Sequence, residues 1–188
     1  MHKTILKKEF NKTHLTNCEF IKDQSKKIFN LNPGNNICLL LEKIEQTKKL
    51  LGCYVECGTF EGGTLLPVAL YNKHFYVNKV LYGMDSFEGF PISEHHPNDL
   101  PEKFLDLHFS GLISSDHLKK AKDRTQNLKS LKHLDGEYFE KINDIFENIK
   151  HFKSASLIKG PFSSTTPKFQ QKISLLHLDC DLYESYLV

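Results

Sequence analysis

The chain has 188 residues, and its 25 lysine and arginine residues nearly balance 23 aspartate and glutamate residues, for a net charge of +2. The length suits one domain with a substantial core, and scattered lysines with Arg124 as the one arginine exclude a basic surface for nucleic acid. No stretch approaches the roughly 20 apolar residues of a membrane span, so we expect a soluble protein without a membrane partner.

The cysteines do not form a recognisable pattern. There are five, an odd number, and no two are spaced as C-x-x-C; they are Cys18, Cys38, Cys53, Cys57 and Cys180. This arrangement predicts neither a disulfide framework nor a zinc site. The predicted setting is a reducing cytoplasm.

The first part of the chain leads to a buried strand. Residues 1–36 are polar and weakly periodic, and we interpret them as an irregular or helical lead-in that ends in a turn. Apolar residues recur at helical spacing over residues 37–51, and Gly52 stands where a C-terminal cap belongs. The apolar residues 53–55 then predict a short strand.

A glycine-rich turn follows this strand and predicts a binding loop. The strand ends at Glu56, and Gly58, Gly62 and Gly63 precede an apolar helical segment at residues 65–71. A helix N-terminus offers unpaired amide hydrogens, and the acid at the strand end can accept hydrogen bonds from a cationic or hydroxyl-bearing group.

The spacing of the loop separates three possible ligands. A phosphate-binding P-loop requires Lys and then Ser or Thr after its last glycine, whereas Thr64 and Leu65 follow here. A dinucleotide fingerprint is weakened because the glycines are displaced and the next strand-end acid, Asp85, comes late. An acid two residues before the first glycine suits S-adenosylmethionine, which presents a cationic amino acid end and a ribose.

Three further strands are predicted at residues 80–84, 155–159 and 173–178. Because strands alternate with helices, the predicted fold class is α/β with a parallel sheet. Ligands bind beyond the carboxyl ends of such strands, where Glu56, Asp85 and Asp179 fall. We therefore expect these three carboxylates to share one cleft.

A long polar insertion at residues 92–153 separates the second strand from the third. Its amphipathic segments at residues 118–134 and 138–149 predict two helices, which we expect to cover the sheet rather than to form a substrate lid. The pair His95 and His96 is interpreted as a solvated loop rather than as metal ligands, since adjacent side chains diverge.

Four sequence blocks together resemble the macrocin O-methyltransferase family of class I S-adenosylmethionine-dependent enzymes. They are Glu56-x-Gly58-x-x-x-Gly62-Gly63, Asp85-Ser86-Phe87-Glu88-Gly89-Phe90-Pro91, Gly160-x-Phe162, and Leu178-Asp179-Cys180-Asp181-Leu182-Tyr183-Glu184-Ser185. The resemblance implies methyl transfer to a hydroxyl of a sugar or similar small molecule, with bound Mg²⁺. It also implies a Rossmann-like doubly wound sheet, of which residues 37–188 would hold about four of seven strands.

The resemblance assigns roles to particular residues. Asp85 would bind the ribose hydroxyls of S-adenosylmethionine. Asp179 would be the catalytic residue and a metal ligand, with Asp181 as a second ligand or as a helix cap. A bound Mg²⁺ would lower the pKa of the acceptor hydroxyl and fix its position. The remaining cofactor-binding residues would be Glu56, Gly58, Thr59, Glu61, Gly62, Gly63, Thr64, Ser86 and Phe87.

Two other functions stay open at this point. The chain stops four residues after Glu184, where the family continues with strands that complete the metal site, so a non-catalytic remnant or interaction module is one alternative. A nicotinamide-dependent oxidoreductase is the other. We expect His177 to be packed or hydrogen-bonded rather than to act as a base. An oligomer is compatible with the sequence.

Overall fold

The computed structural model describes residues 2–34, 36–90, 96–127, 137–148 and 154–187. Its centre is a parallel sheet of four strands in the order β3-β2-β1-β4. The strands are β1 (Cys53–Cys57), β2 (Leu81–Asp85), β3 (Ala155–Lys159) and β4 (Ile173–Leu178). Because helices flank a parallel sheet, the predicted α/β fold class is confirmed.

The helices are α1 (His2–Phe29), α2 (Ile37–Thr47), α3 (Leu65–His74), α4 (Pro101–Phe109), α5 (Ser115–Asn127), α6 (Glu137–Asn148) and the single turn α7 (Phe162–Thr165). Among the helices of the described ranges, none combines the length and apolar character that a membrane span needs.

The main hydrophobic core lies between one face of the sheet and helices α1, α2, α3 and α6. Ile21 of α1, Leu41 of α2, Leu65 of α3 and Ile142 of α6 are fully buried there. Such burial stabilises a fold by about 25 cal/mol for each Å² of apolar surface removed from water. The lead-in predicted at residues 1–36 thus contributes, through α1, to the same core as the sheet.

The opposite face of the sheet carries a smaller apolar cluster. Val55 and Met84 pack there against Phe162 and Phe169, which follow β3. The strand β4 is an edge strand of the sheet, and Leu176 on this face remains 47% exposed.

Two local predictions are corrected by the structure. The helix predicted over residues 37–51 ends at Thr47, and the helix α4 had no counterpart in the sequence prediction. Gly52 does not cap α2, but has φ +127°, and a Cβ atom there would lie 2.6 Å from the carbonyl oxygen of Lys172. The glycine is therefore required by the close approach of the chain before β4.

A disulfide joins α1 to α2, which contradicts the expectation that no cysteines pair. Cys18 and Cys38 are 20 residues apart and their Cα atoms are 5.4 Å apart, while Cys53, Cys57 and Cys180 are free and buried. The pairing arises because the two helices pack against each other, which cysteine spacing alone does not reveal. The prediction of a reducing compartment rested on unpaired cysteines, so the disulfide removes its support.

We predict that breaking this disulfide lowers the free energy of unfolding by about 3 kcal/mol, because a loop of this length then gains chain entropy in the unfolded state. Urea unfolding with and without a reductant measures the difference. In the Cys38→Ala variant the reductant should have no effect. Identical unfolding curves for the oxidised and reduced wild-type chain would contradict the prediction.

Candidate functional site

The strand order creates a crevice at the carboxyl edge of the sheet. After β1 the chain crosses to β2 and β3 on one side, and β4 then pairs with β1 on the other, so the order reverses between β1 and β4. Ligands of open parallel sheets bind at such a switch point. Glu56 lies opposite His177 in the register, and the amide of Asp179 donates to the carbonyl of Cys57 at 2.8 Å.

The loop after β1 runs close to the loop after β4. Gly58 has φ +93°, and a Cβ atom there would overlap the carbonyl oxygen of Asp179. Gly62 also has a positive φ, of +80°. Gly63 differs, because a Cβ atom there would meet no atom within 4 Å. The backbone at Gly63 therefore borders open space, as a loop that admits a ligand requires.

Asp85 connects the loops that follow β1 and β2. Its Oδ2 accepts a hydrogen bond from the amide of Phe60, and its Oδ1 accepts one from the amide of Phe87, both at 2.8 Å. Phe60 and Phe87 have φ values of +48° and +54°, in the left-handed region that non-glycine residues rarely adopt. Strained residues of this kind concentrate at binding sites, where the surrounding structure holds them.

The hydroxyl groups predicted in these loops contact the loops themselves. Ser86 Oγ donates to the carbonyl of Gly89 and accepts from the amide of Glu88 at 3.2 Å. Thr59 is 2% exposed, and its Oγ1 donates to the carbonyl of Met84 at 3.4 Å. Glu61 and Thr64 are half-buried in the same loop. Ser86 and Thr59 thus stabilise the conformation of the loops at the carboxyl edge of the sheet.

Helix α6 places two aromatic residues beside the loops at the carboxyl edge of the sheet. The ring of Tyr138 lies 5.1 Å from that of Phe60, and the ring of Phe139 lies 5.3 Å from that of Phe87. The Nζ atom of Lys159 is 5.7 Å from the Phe139 ring. Sequence reasoning did not assign these residues to the site, although two adjacent aromatic residues at the start of an amphipathic helix were a usable signal.

Glu56 lies in the interior rather than in the crevice. Its side chain is 1% exposed, and Oε2 accepts a hydrogen bond of 2.6 Å from the hydroxyl of Tyr54. His177 Nδ1 lies 3.5 Å from the same oxygen, within ion-pair distance but without a hydrogen bond to it. Burial raises the pKa of the Glu56 carboxyl. The interaction of His177 with Glu56 raises the pKa of the His177 imidazole.

We predict that stability falls as pH rises because of this pair. His177 has a raised pKa in the folded state, so the folded chain holds the proton more tightly than the unfolded chain does. Asp179 and Cys57 add to the effect. This contribution is complete below about 6.5, the ordinary pKa of histidine, and is lost as pH rises through the folded value.

Urea unfolding across pH 6 to 9, on the order of one measurement per half unit, tests this linkage. The decline should be present in the wild type and in His117→Asn, which changes an exposed residue of α5. It should be smaller in His177→Asn, where the buried Glu56 carboxyl, whose pKa is also raised, still contributes with the same sign. A decline of equal size in His177→Asn would show that another group is responsible.

The loop after β4 carries the two acids predicted as magnesium ligands. Asp179 and Asp181 are both exposed, and Asp181 has φ +63°. Across the described ranges, no group of three or more His, Cys, Asp or Glu side chains is arranged to hold a metal ion. The described residues thus show no metal site of three or more such ligands, and Asp179 and Asp181 as magnesium ligands stay a prediction.

The structure also corrects the interpretation of the histidine pair. His95 lies outside the described residues, but His96 is not a solvated loop residue. Its ring stacks on that of Tyr183 with centroids 4.5 Å apart, and its Nε2 lies 3.6 Å from Oε1 of Glu184. Asp99 Oδ1 accepts a hydrogen bond of 2.9 Å from the amide of Tyr183. The insertion is thus attached to the loop after β4.

The helices of the insertion pack in two different places. Helix α6 covers the sheet as predicted, because Ile142 and Phe146 are buried in the main core. Helices α4 and α5 pack on each other instead, and with the loop after β4 they border a cavity lined in part by Phe90, Phe104 and Asp181.

Comparisons with known proteins are distant. No family model matches the chain, and no curated protein matches it. The solved structures that resemble it include the O-methyltransferase NovP (22% identity, TM-score 0.49, covering 78% of this chain and 55% of that chain). They also include CalS11, a calicheamicin methyltransferase (17% identity, TM-score 0.48, covering 94% of this chain and 69% of that chain). The chain thus spans about half the length of NovP. The macrocin family assignment stays a prediction.

Proposed function

We propose that this chain binds S-adenosylmethionine at the carboxyl edge of the sheet and is an O-methyltransferase for a hydroxyl of a sugar or similar small molecule. The observation that carries the proposal is Asp85, whose carboxylate holds the loops after β1 and β2 together at the carboxyl edge of the sheet. A strand-end acid in this position suits ribose hydroxyls. The sequence motifs agree with it.

Asp85 retains the capacity to bind a ribose. Each carboxylate oxygen accepts one amide hydrogen, and Ser86 Oγ lies a further 3.5 Å from Oδ1, so Oδ2 keeps a second lone pair for a hydroxyl group. The open space at Gly63 leaves room for the amino acid end of the cofactor. Glu56 acts from the interior by supporting the strand end, together with Tyr54. The bound cofactor supplies an electrophilic methyl group.

Asp179 is proposed to orient the acceptor. Its carboxylate is exposed beside the end of β1, to which its own amide is hydrogen-bonded. A carboxylate there can accept the proton of a hydroxyl group as the oxygen is methylated, and can hold that oxygen in position. The described residues show no site of three or more metal ligands, and the proposed proton transfer involves Asp179 alone.

Isothermal titration of the full chain with S-adenosylmethionine tests the proposal. We expect saturable binding that Gly63→Ala weakens, because the added methyl group fills the open space without disturbing protein contacts. Asp144→Asn, on the exposed surface of α6, should bind as the wild type does. Absence of binding at millimolar cofactor would overturn the proposal. A parallel titration with MgCl₂ reports whether metal binding is linked to cofactor binding.

Methyl transfer then separates the alternatives. Incubation with radiolabelled S-adenosylmethionine and a panel of sugars should label a hydroxyl acceptor, and Asp179→Asn should reduce the rate about 100-fold or more, as for loss of a general base. Binding without transfer would identify a binding module instead. Binding of NADH in preference to S-adenosylmethionine would favour an oxidoreductase.

A further inference from the structure

An open cavity of about 770 Å³ lies between helices α4 and α5 and the loop after β4. We call it the insertion cavity. Its volume falls within the range of small-molecule pockets, about 300 to 1,000 Å³. Phe90, Phe104 and Leu182 supply its apolar surface. A sugar ring has the dimensions and mixed polarity that such a surface accommodates.

The insertion cavity borders the proposed cofactor site. Phe90 belongs to the loop after β2, and Asp181 belongs to the loop after β4. These loops flank β1 at the same carboxyl edge of the sheet. The hydrogen bond from the Tyr183 amide to Asp99 and the stacking of His96 on Tyr183 hold the insertion against the loop after β4. A molecule in the cavity therefore lies beside the edge where the methyl group would be presented.

The charge of the lining favours a cation. Among the residues that the structure describes, four aspartates and one lysine, Lys120, line the cavity. His117 is the remaining titratable group of the lining. The aspartates are Asp99, Asp116, Asp123 and Asp181. Such an excess of one charge in a concave site raises the local concentration of ligands of the opposite charge.

We propose that the insertion cavity binds the methyl acceptor, and that this acceptor is a polyhydroxylated small molecule with a protonated amine, of the amino-sugar class. This inference rests on the proposed function, which supplies the requirement for a hydroxyl acceptor. The acidic lining repels phosphorylated or carboxylated sugars.

Binding of D-glucosamine and of N-acetylglucosamine to the full chain, measured by protein-observed NMR titration at low salt, tests the inference. The two sugars differ in the charge at the amine, which acetylation removes. We expect glucosamine to bind about tenfold more tightly, since two or three exposed charge pairs contribute up to about 1 kcal/mol each. The preference should shrink at high salt, which screens exposed charges.

The variant Asp116→Asn/Asp123→Asn removes two acids from α5. It should weaken glucosamine binding about fivefold and leave N-acetylglucosamine binding unchanged, as each exposed pair is worth only a few-fold. Asp144→Asn, an exposed acid on α6 outside the lining, should change neither affinity. Equal affinities for the two sugars, absence of sugar binding, or equal effects of both variants would overturn the inference.

S-adenosylmethionine titrations on the same samples distinguish the two proposals. If the cofactor binds and glucosamine shows no preference, the acceptor assignment is wrong while the cofactor site stands. If glucosamine binds with the expected preference and the cofactor does not, the cavity is a sugar site and the methyltransferase proposal fails.

Discussion

Replacing Gly58 with alanine is expected to lower the free energy of unfolding by about 3 kcal/mol or more, because the new Cβ atom would overlap the carbonyl oxygen of Asp179. The conformation adds to the cost, since Gly58 has φ +93°. Neither strand end can move away easily. The amide of Gly58 donates to the carbonyl of Met84, and the amide of Asp179 donates to that of Cys57. Urea unfolding measures the effect.

The matched control for this prediction is Gly63→Ala, five residues later in the same loop. Its added methyl group meets no atom within 4 Å, so stability should change by less than about 1 kcal/mol. The two variants make the same chemical change at two different backbone sites. Equal losses of stability would show that the close approach of the loops after β1 and β4 is not what requires glycine.

Replacing Asp85 with alanine is expected to weaken S-adenosylmethionine binding about 100-fold, since hydrogen bonds to a charged group contribute about 1.5 to 3 kcal/mol each. The variant removes the proposed partner of the ribose hydroxyls. It also leaves the amides of Phe60 and Phe87 without their acceptor, so both loops lose the contact that fixes them. Isothermal titration gives the affinity, and urea unfolding gives the accompanying loss of stability.

Two further variants separate ligand binding from loop support. Asp85→Asn keeps one acceptor oxygen and should bind with intermediate affinity. Glu88→Ala removes an exposed acid three residues away, whose side chain contacts Lys159 at 3.0 Å, and should change affinity less than about threefold. If Asp85→Ala loses stability but retains full affinity, the acid serves only the loop amides and the proposed ribose contact is wrong.

The sequence by itself determined the strands and the edge at which their loops meet. The strands at residues 155–159 and 173–178 have the predicted bounds, and β1 and β2 differ from prediction by one or two residues. Strand bounds are local, because an apolar run ends where an acid and a glycine begin a turn. The parallel arrangement then places Glu56, Asp85 and Asp179 at one edge without further information.

Only the tertiary structure decided where the side chains at that edge point and what they contact. Three features of the structure are contacts between residues that are far apart in the chain. They are the contact of the buried Glu56 with His177, the disulfide between Cys18 and Cys38, and the stacking of His96 on Tyr183. Local patterns specify which residues end a strand, but a contact between distant residues depends on how helices and loops pack. The insertion cavity exists for the same reason, since four separate segments of the chain line it.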